Sequence, residues 1–166
     1  MVEVRKKDVT QVESEQLNAL LNEHEIRALV ANYKPTGFEV SFDVDWVPQH
    51  NGLAASYPRT TSAGPYFITL SPLLLEWGLT DRIAFSTIIL HELGHVIDRV
   101  ENWTKYPVTD PQDIEALEYK ADDFVVTCGW KDGLIETLRH SIALGAEHGI
   151  SKGMTSKRLS SLFDEA

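Results

Sequence analysis

Three features of the chain predict an α+β fold. The run Phe38–Trp46 alternates apolar and polar side chains, and Tyr66–Leu70 is a short apolar run between prolines; both read as strands, the first half-buried. From Asp81 to Val100 apolar residues cover most of a helical circumference, the mark of a helix buried on nearly all sides. A third stretch, opened by Asp110-Pro111, carries apolar residues at helical spacing. Strands in one run and helices in another give a small sheet with helices on one side.

Taken in order, Val9 to about Asn32 reads as one amphipathic helix whose buried side is Val12, Leu17, Leu20, Leu21, Ile26, Leu29 and Val30, ended by Pro35-Thr36-Gly37. After the strand Phe38–Trp46, Asn51-Gly52 marks a turn, Leu53 to Tyr57 a short strand, Pro58 to Pro65 a loop and Tyr66 to Leu70 another strand. Ser71-Pro72 opens a short helix through Trp77. Thr80 and Asp81 offer an N-cap and a first-turn anion to the apolar helix. Asp110, Pro111 and Asp113 supply an N-cap, a proline at the first helical position and a capping-box-like acid for a helix to about Cys128. One more helix is expected from Asp132 to about His148.

At 166 residues, with no internal repeat or low-complexity segment, the chain fits one domain, 1–166, large enough to bury a core. Its 15 basic and 25 acidic side chains leave a formal charge of -10, which argues against nucleic-acid and anionic-membrane partners. No apolar run reaches the roughly 20 residues of a membrane span, and the basic start lacks the apolar stretch of a secretory signal, so a cytoplasmic protein without transmembrane anchoring is expected. The single Cys128 excludes an internal disulfide and reads as a small packing residue.

The segment His91-Glu92-Leu93-Gly94-His95 is where spacing dictates chemistry. In a helix, residues four apart project from one face, so both imidazoles can reach one metal ion. Glu92 beside them can take a proton from water made acidic by that metal. Two buried histidines and a buried acid otherwise need other partners, since an unpaired ionised carboxylate is costly there. Gly94, poor in a helix interior, suits the close approach of another element.

A hydrolytic zinc site needs a third protein ligand and an open position. Glu115, Glu118 and Asp122 recur at three- and four-residue spacing on one face of the Asp110–Cys128 helix. Glu118 is taken as the ligand and Asp122 as the acceptor that fixes the tautomer of a ligand histidine; Glu115, nearest the helix start, is expected to face solvent.

HELGHVID followed by EYKADDF resembles the gluzincin metallopeptidases, most nearly the minimal catalytic domains of HtpX-like and CaaX-prenyl-protease-like peptidases, and secondly the ImmA/IrrE-like regulatory peptidases. The resemblance covers roughly residues 50–130. It implies a zincin-like domain binding one zinc ion through His91, His95 and Glu118, with Glu92 as general base, Asp122 as companion of a ligand, and a polypeptide as substrate. A zinc-dependent endopeptidase is therefore expected. The alternative is a catalytically silent, zinc-stabilised regulatory or protein-binding domain, against which the intact Glu92 speaks.

Further assignments complete the expectation. His140, Tyr106 and Arg158 are candidate donors to a developing oxyanion, each with an ordinary reading as a polar-face, packed or surface residue. The strand Tyr66–Leu70 either adds an extended peptide along a sheet edge or lies inside the sheet. The stretch Arg99 to Pro111 either roofs the cleft or is a plain connection. His24, in a charged run, and His50, beside a turn, are not expected to bind metal.

Overall fold

A computed structural model of the chain describes residues 11–23, 25–34, 36–44, 54–58, 66–147 and 153–164. Within them α1 (Gln11–Glu23) and α2 (Ile26–Tyr33) precede three strands, β1 (Val40–Val44), β2 (Ala54–Pro58) and β3 (Tyr66–Leu70). Then come α3 (Pro72–Thr80), α4 (Arg82–Glu101), a 3-10 turn (Trp103–Lys105), α5 (Pro111–Thr127), α6 (Lys131–Glu147) and α7 (Gly153–Ser161). The class is α+β and mostly helical. α7 is not among the elements expected from the sequence, and the expected helix start at Val9, the turn at Asn51-Gly52 and the loop over 59–65 lie outside the described residues.

The single helix expected over Val9–Asn32 is two. Glu25 takes a left-handed conformation, φ 53°, between α1 and α2. The reason lies in the apolar phase. At 100° per residue Ile26 and Val30 would fall about 180–220° round an unbroken helix from Leu17, whereas Leu20 and Leu21 stay within about 60° of it. All five are buried, and only a break lets both sets face one core.

The sheet order is β1-β3-β2, with β1 parallel and β2 antiparallel to β3. β3 is thus interior. Of the two readings of Tyr66–Leu70 the interior one holds, because β3 is paired on both sides, and the burial of Tyr66, Ile68, Thr69 and Leu70 agrees with it. The Thr69 hydroxyl donates to Asp43 Oδ1 across the β1–β3 pair, in register with the backbone.

Ser71 accepts from the Leu74 amide and Pro72 occupies the first turn of α3. Asp81 closes the start of α4 through Oδ1, which accepts from the Ala84 amide at 2.9 Å. α4 is the hub of the fold, in contact with β2, β3, α3, α5 and α6, and residues Ala84 to Gly94 of it are all buried. Ile83 is the exception to its expected apolar surround, more than half exposed at the α3–α4 corner. Its C-terminal end is tied by Asp98, which accepts from the Tyr106 hydroxyl at 2.7 Å, Asn102 Nδ2 at 3.0 Å and Lys120 Nζ at 3.1 Å. Asp98 was not singled out in the sequence, although an acid three residues past His95 on so apolar a helix needs partners.

No helix among the described residues is long and apolar enough to cross a membrane.

Candidate metal centre

α4 and α5 share the most extensive helix contact of the fold, and two small residues permit it. A Cβ on Gly94 would stand 3.0 Å from Ala121 Cα and 3.3 Å from the Ala121 carbonyl oxygen, so any larger residue would require α5 to give by a few tenths of an ångström. Glu118 precedes Ala121 by less than one turn and Asp122 follows it directly. The close approach therefore brings both carboxylates to the histidine face of α4.

There three groups converge. His91 Nε2 lies 3.1 Å from His95 Nε2 and 3.2 Å from Glu118 Oε2, and His95 Nε2 lies 3.3 Å from Glu118 Oε1. Among the described residues these three form a group able to hold a metal ion. The spacing suits one: a tetrahedral ion with ligands at about 2.0–2.1 Å separates them by about 3.3 Å. Two imidazole nitrogens with their lone pairs facing at that distance would repel, so a proton or a metal cation must stand between them.

Asp122 decides which nitrogen is free. His91 Nδ1 lies 2.9 Å from Asp122 Oδ1. Burial raises the Asp122 carboxyl, but Arg158 and His91 outweigh it and hold it below its ordinary value, so it is an acceptor and Nδ1 carries the hydrogen. Nε2 is left to the ligand face, the role expected of a carboxylate behind a metal-binding imidazole.

Arg158 is the residue whose place the sequence concealed. Carried by α7, its side chain is 14% exposed rather than on the surface. It donates from Nε to Asp122 Oδ2 and from Nη2 to Asp122 Oδ1, both at 2.7 Å, and from Nη1 to Glu118 Oε2 at 3.0 Å. Glu92, 8% exposed, lies near enough for its charge to act on Arg158. Three carboxylates and one guanidinium leave two negative charges, which a dication neutralises.

Without metal, a proton takes its part. Burial and Arg158 push the His91 imidazole down, but hydrogen bonds to Asp122 and Glu118 outweigh them and raise it to about 9. Glu118, disfavoured as an anion by burial, is held far below the usual range by both imidazoles and Arg158. A metal must displace the His91 proton, which is bound below about pH 9 and gone above it. Apparent zinc affinity is thus expected to rise about tenfold per unit between about pH 6 and about pH 8; a flat chelator-competition profile over that window would show that no proton is displaced.

The other assignments fare differently. His140 takes its ordinary reading: it stacks on Trp77 at 4.0 Å with its Nδ1 4.0 Å from Asp81, the residue that caps the far end of α4. Ten residues of helix, about 15 Å, separate that cap from His91. Tyr106 is packed in its loop, its hydroxyl donates to Asp98, and burial together with that carboxylate raises its pKa. Arg158 is at the cluster, where Nε and Nη2 bind the Asp122 carboxylate on the Nδ1 side of His91 and Nη1 donates to Glu118 Oε2. Glu115 is half-buried, 3.5 Å from Lys157 Nζ. Cys128 caps α5, its thiol raised by burial. His24, His50 and His148 lie outside the described residues.

Gly94→Ala tests the close approach. Alanine gains about 1 kcal/mol in helix propensity, whereas overpacking against the α5 backbone costs about 1–3 kcal/mol. The net expectation is lower stability and weaker zinc binding as α5 shifts away; unchanged zinc affinity in the folded variant would show that the spacing is not set at this residue.

Compared with protein-family models, with curated proteins and with solved structures, the chain matches none of them.

Proposed function

We propose that this chain is a zinc-dependent endopeptidase of gluzincin type on a zincin-like scaffold. The observation that carries the reading is the meeting of His91, His95 and Glu118 from two helices, with Glu92 beside them on α4. Two neutral nitrogens and a carboxylate suit zinc and leave room for a further ligand.

Zinc held there supplies a Lewis acid that brings the pKa of water near neutrality and polarises a peptide carbonyl. The remaining chemistry belongs to side chains. Glu92 takes the proton of the attacking water on a carboxylate oxygen and returns it to the amine nitrogen as the C–N bond breaks. His91 keeps its hydrogen on Nδ1, held by Asp122. No covalent acyl-enzyme forms, because water is the nucleophile. The substrate is a polypeptide, and an extended one can pair with β2, an edge of the described sheet that lies against α4.

The test is metal analysis of the purified protein together with cleavage of a mixed peptide library. About one zinc per chain and chelator-sensitive cleavage are expected. A zinc-loaded, folded protein that cuts nothing would instead favour the silent regulatory domain.

A further inference from the structure

We propose that Arg158 is a positioning residue for the metal site, acting chiefly through Asp122 and also through Glu118 Oε2, to which Nη1 donates at 3.0 Å, while touching neither metal nor substrate itself; this rests on the metal-site reading above. A carboxylate turns easily about its last torsion, which has broad, roughly two-fold preferences. Here two nearly parallel bonds of 2.7 Å from one guanidinium fix its plane, the bidentate geometry that only arginine offers.

Oδ1 of Asp122 is shared. It accepts from Arg158 Nη2 and from His91 Nδ1, whose nitrogens stand 3.3 Å apart. Both are donors, so that short separation is two hydrogens meeting on one oxygen rather than a bond between them. With the carboxylate plane fixed, Oδ1 lies where the Nδ1 hydrogen points. A flip of the His91 ring would put Cδ2 where Nδ1 stands and Cε1 where Nε2 stands, turning carbons toward Asp122 and toward the ligand cluster, so the imidazole is held with Nε2 toward His95 and Glu118.

The arginine is itself held. Leu162 is buried in the core, Leu159 packs against it, and Lys157 reaches Glu115 at 3.5 Å. The C-terminal helix α7 therefore completes a site whose ligands all lie on α4 and α5. An ordinary exposed ion pair contributes little and imposes no orientation; this pair is bidentate and largely enclosed.

Charge and position predict opposite signs, which makes the proposal decidable. As a mere neighbouring cation, Arg158 repels a dication, and its removal strengthens zinc binding. As the holder of Asp122, its removal weakens it.

The experiment is zinc titration by chelator competition on Arg158→Gln, Arg158→Lys, Asp122→Ala and the Arg158→Gln/Asp122→Ala double variant, with folding followed by circular dichroism. Arg158→Gln is expected to bind zinc about 10- to 100-fold more weakly. Arg158→Lys, which keeps the charge and loses the fork, stays well below the unmutated protein and remains informative if the glutamine variant does not fold. Once Asp122 is gone, removing Arg158 costs less than it does alone, since only its bond to Glu118 Oε2 remains to be lost. Equal or tighter zinc binding by Arg158→Gln, full affinity in Arg158→Lys, or additive losses in the double variant would overturn the proposal. Should the unmutated protein take up no zinc, the metal reading falls, and the His91 Nδ1 proton resonance of the metal-free protein decides this proposal alone. Its loss in the Arg158 variants sustains it, and its persistence overturns it.

Discussion

Replacing Glu92 by glutamine is expected to leave zinc bound and to lower the rate of peptide cleavage by about 100- to 10,000-fold. The amide keeps the shape of a side chain that is only 8% exposed, so packing within α4 is preserved while the proton acceptor is lost. None of the three converging ligand groups is altered. Zinc content at the unmutated level with cleavage at background is the expected pair of results. Turnover within a few-fold of the unmutated protein would remove Glu92 from the mechanism, whatever the metal content.

A graded effect is expected along α5. Glu118→Ala leaves two histidines facing each other at 3.1 Å and removes the carboxylate that completes the group of three, so zinc binding should collapse. Asp122→Ala keeps the ligands and loses their orientation, worth about 10- to 100-fold in affinity or activity. It also takes both short bonds from Arg158, and breaking an enclosed ion pair costs about 3–5 kcal/mol, so this variant should be the least stable of the series. Glu115→Ala removes a pair with the exposed Lys157 and should be mild, within about 1 kcal/mol. Zinc titration and thermal unfolding of the three variants separate the effects. Should Asp122→Ala lose the metal while Glu118→Ala keeps it, the two roles must be exchanged.

What could be read in advance followed from local rules. The His91–His95 pair, the caps Asp81 and Asp110, the proline starts of α3 and α5, and the three strands all depend on residues a few positions apart. Glu118 and Asp122 were legible because helical spacing puts them on one face of α5 and a half-built site demanded a third ligand. Two things escaped, and a third, the place of β3 in the sheet, stayed open. Glu25 breaks α1 from α2 through a phase slip that appears only when apolar positions are projected onto one continuous helix. The interior place of β3 depends on strand pairing between Val40–Val44 and Tyr66–Leu70, which no local pattern specifies. Arg158 meets Asp122 and Glu118 across 36 and 40 residues, from a helix whose polar composition resembles any surface segment.

The clamping of α4 has a thermodynamic meaning. Gly94 brings α5 against one side of it, and on another Gly133 lets α6 approach until an added Cβ would meet Thr87 Oγ1 at 2.8 Å and Ile83 Cγ2 at 3.0 Å. His91 lies one turn beyond Thr87 and three residues before Gly94, so its backbone is gripped on both flanks before any ion arrives. Ordering a free, rotamer-rich side chain on binding costs about 0.5–1.5 kcal/mol. For ligands already immobile, most of that conformational entropy has been surrendered during folding, and the free energy of coordination can appear almost undiminished as affinity.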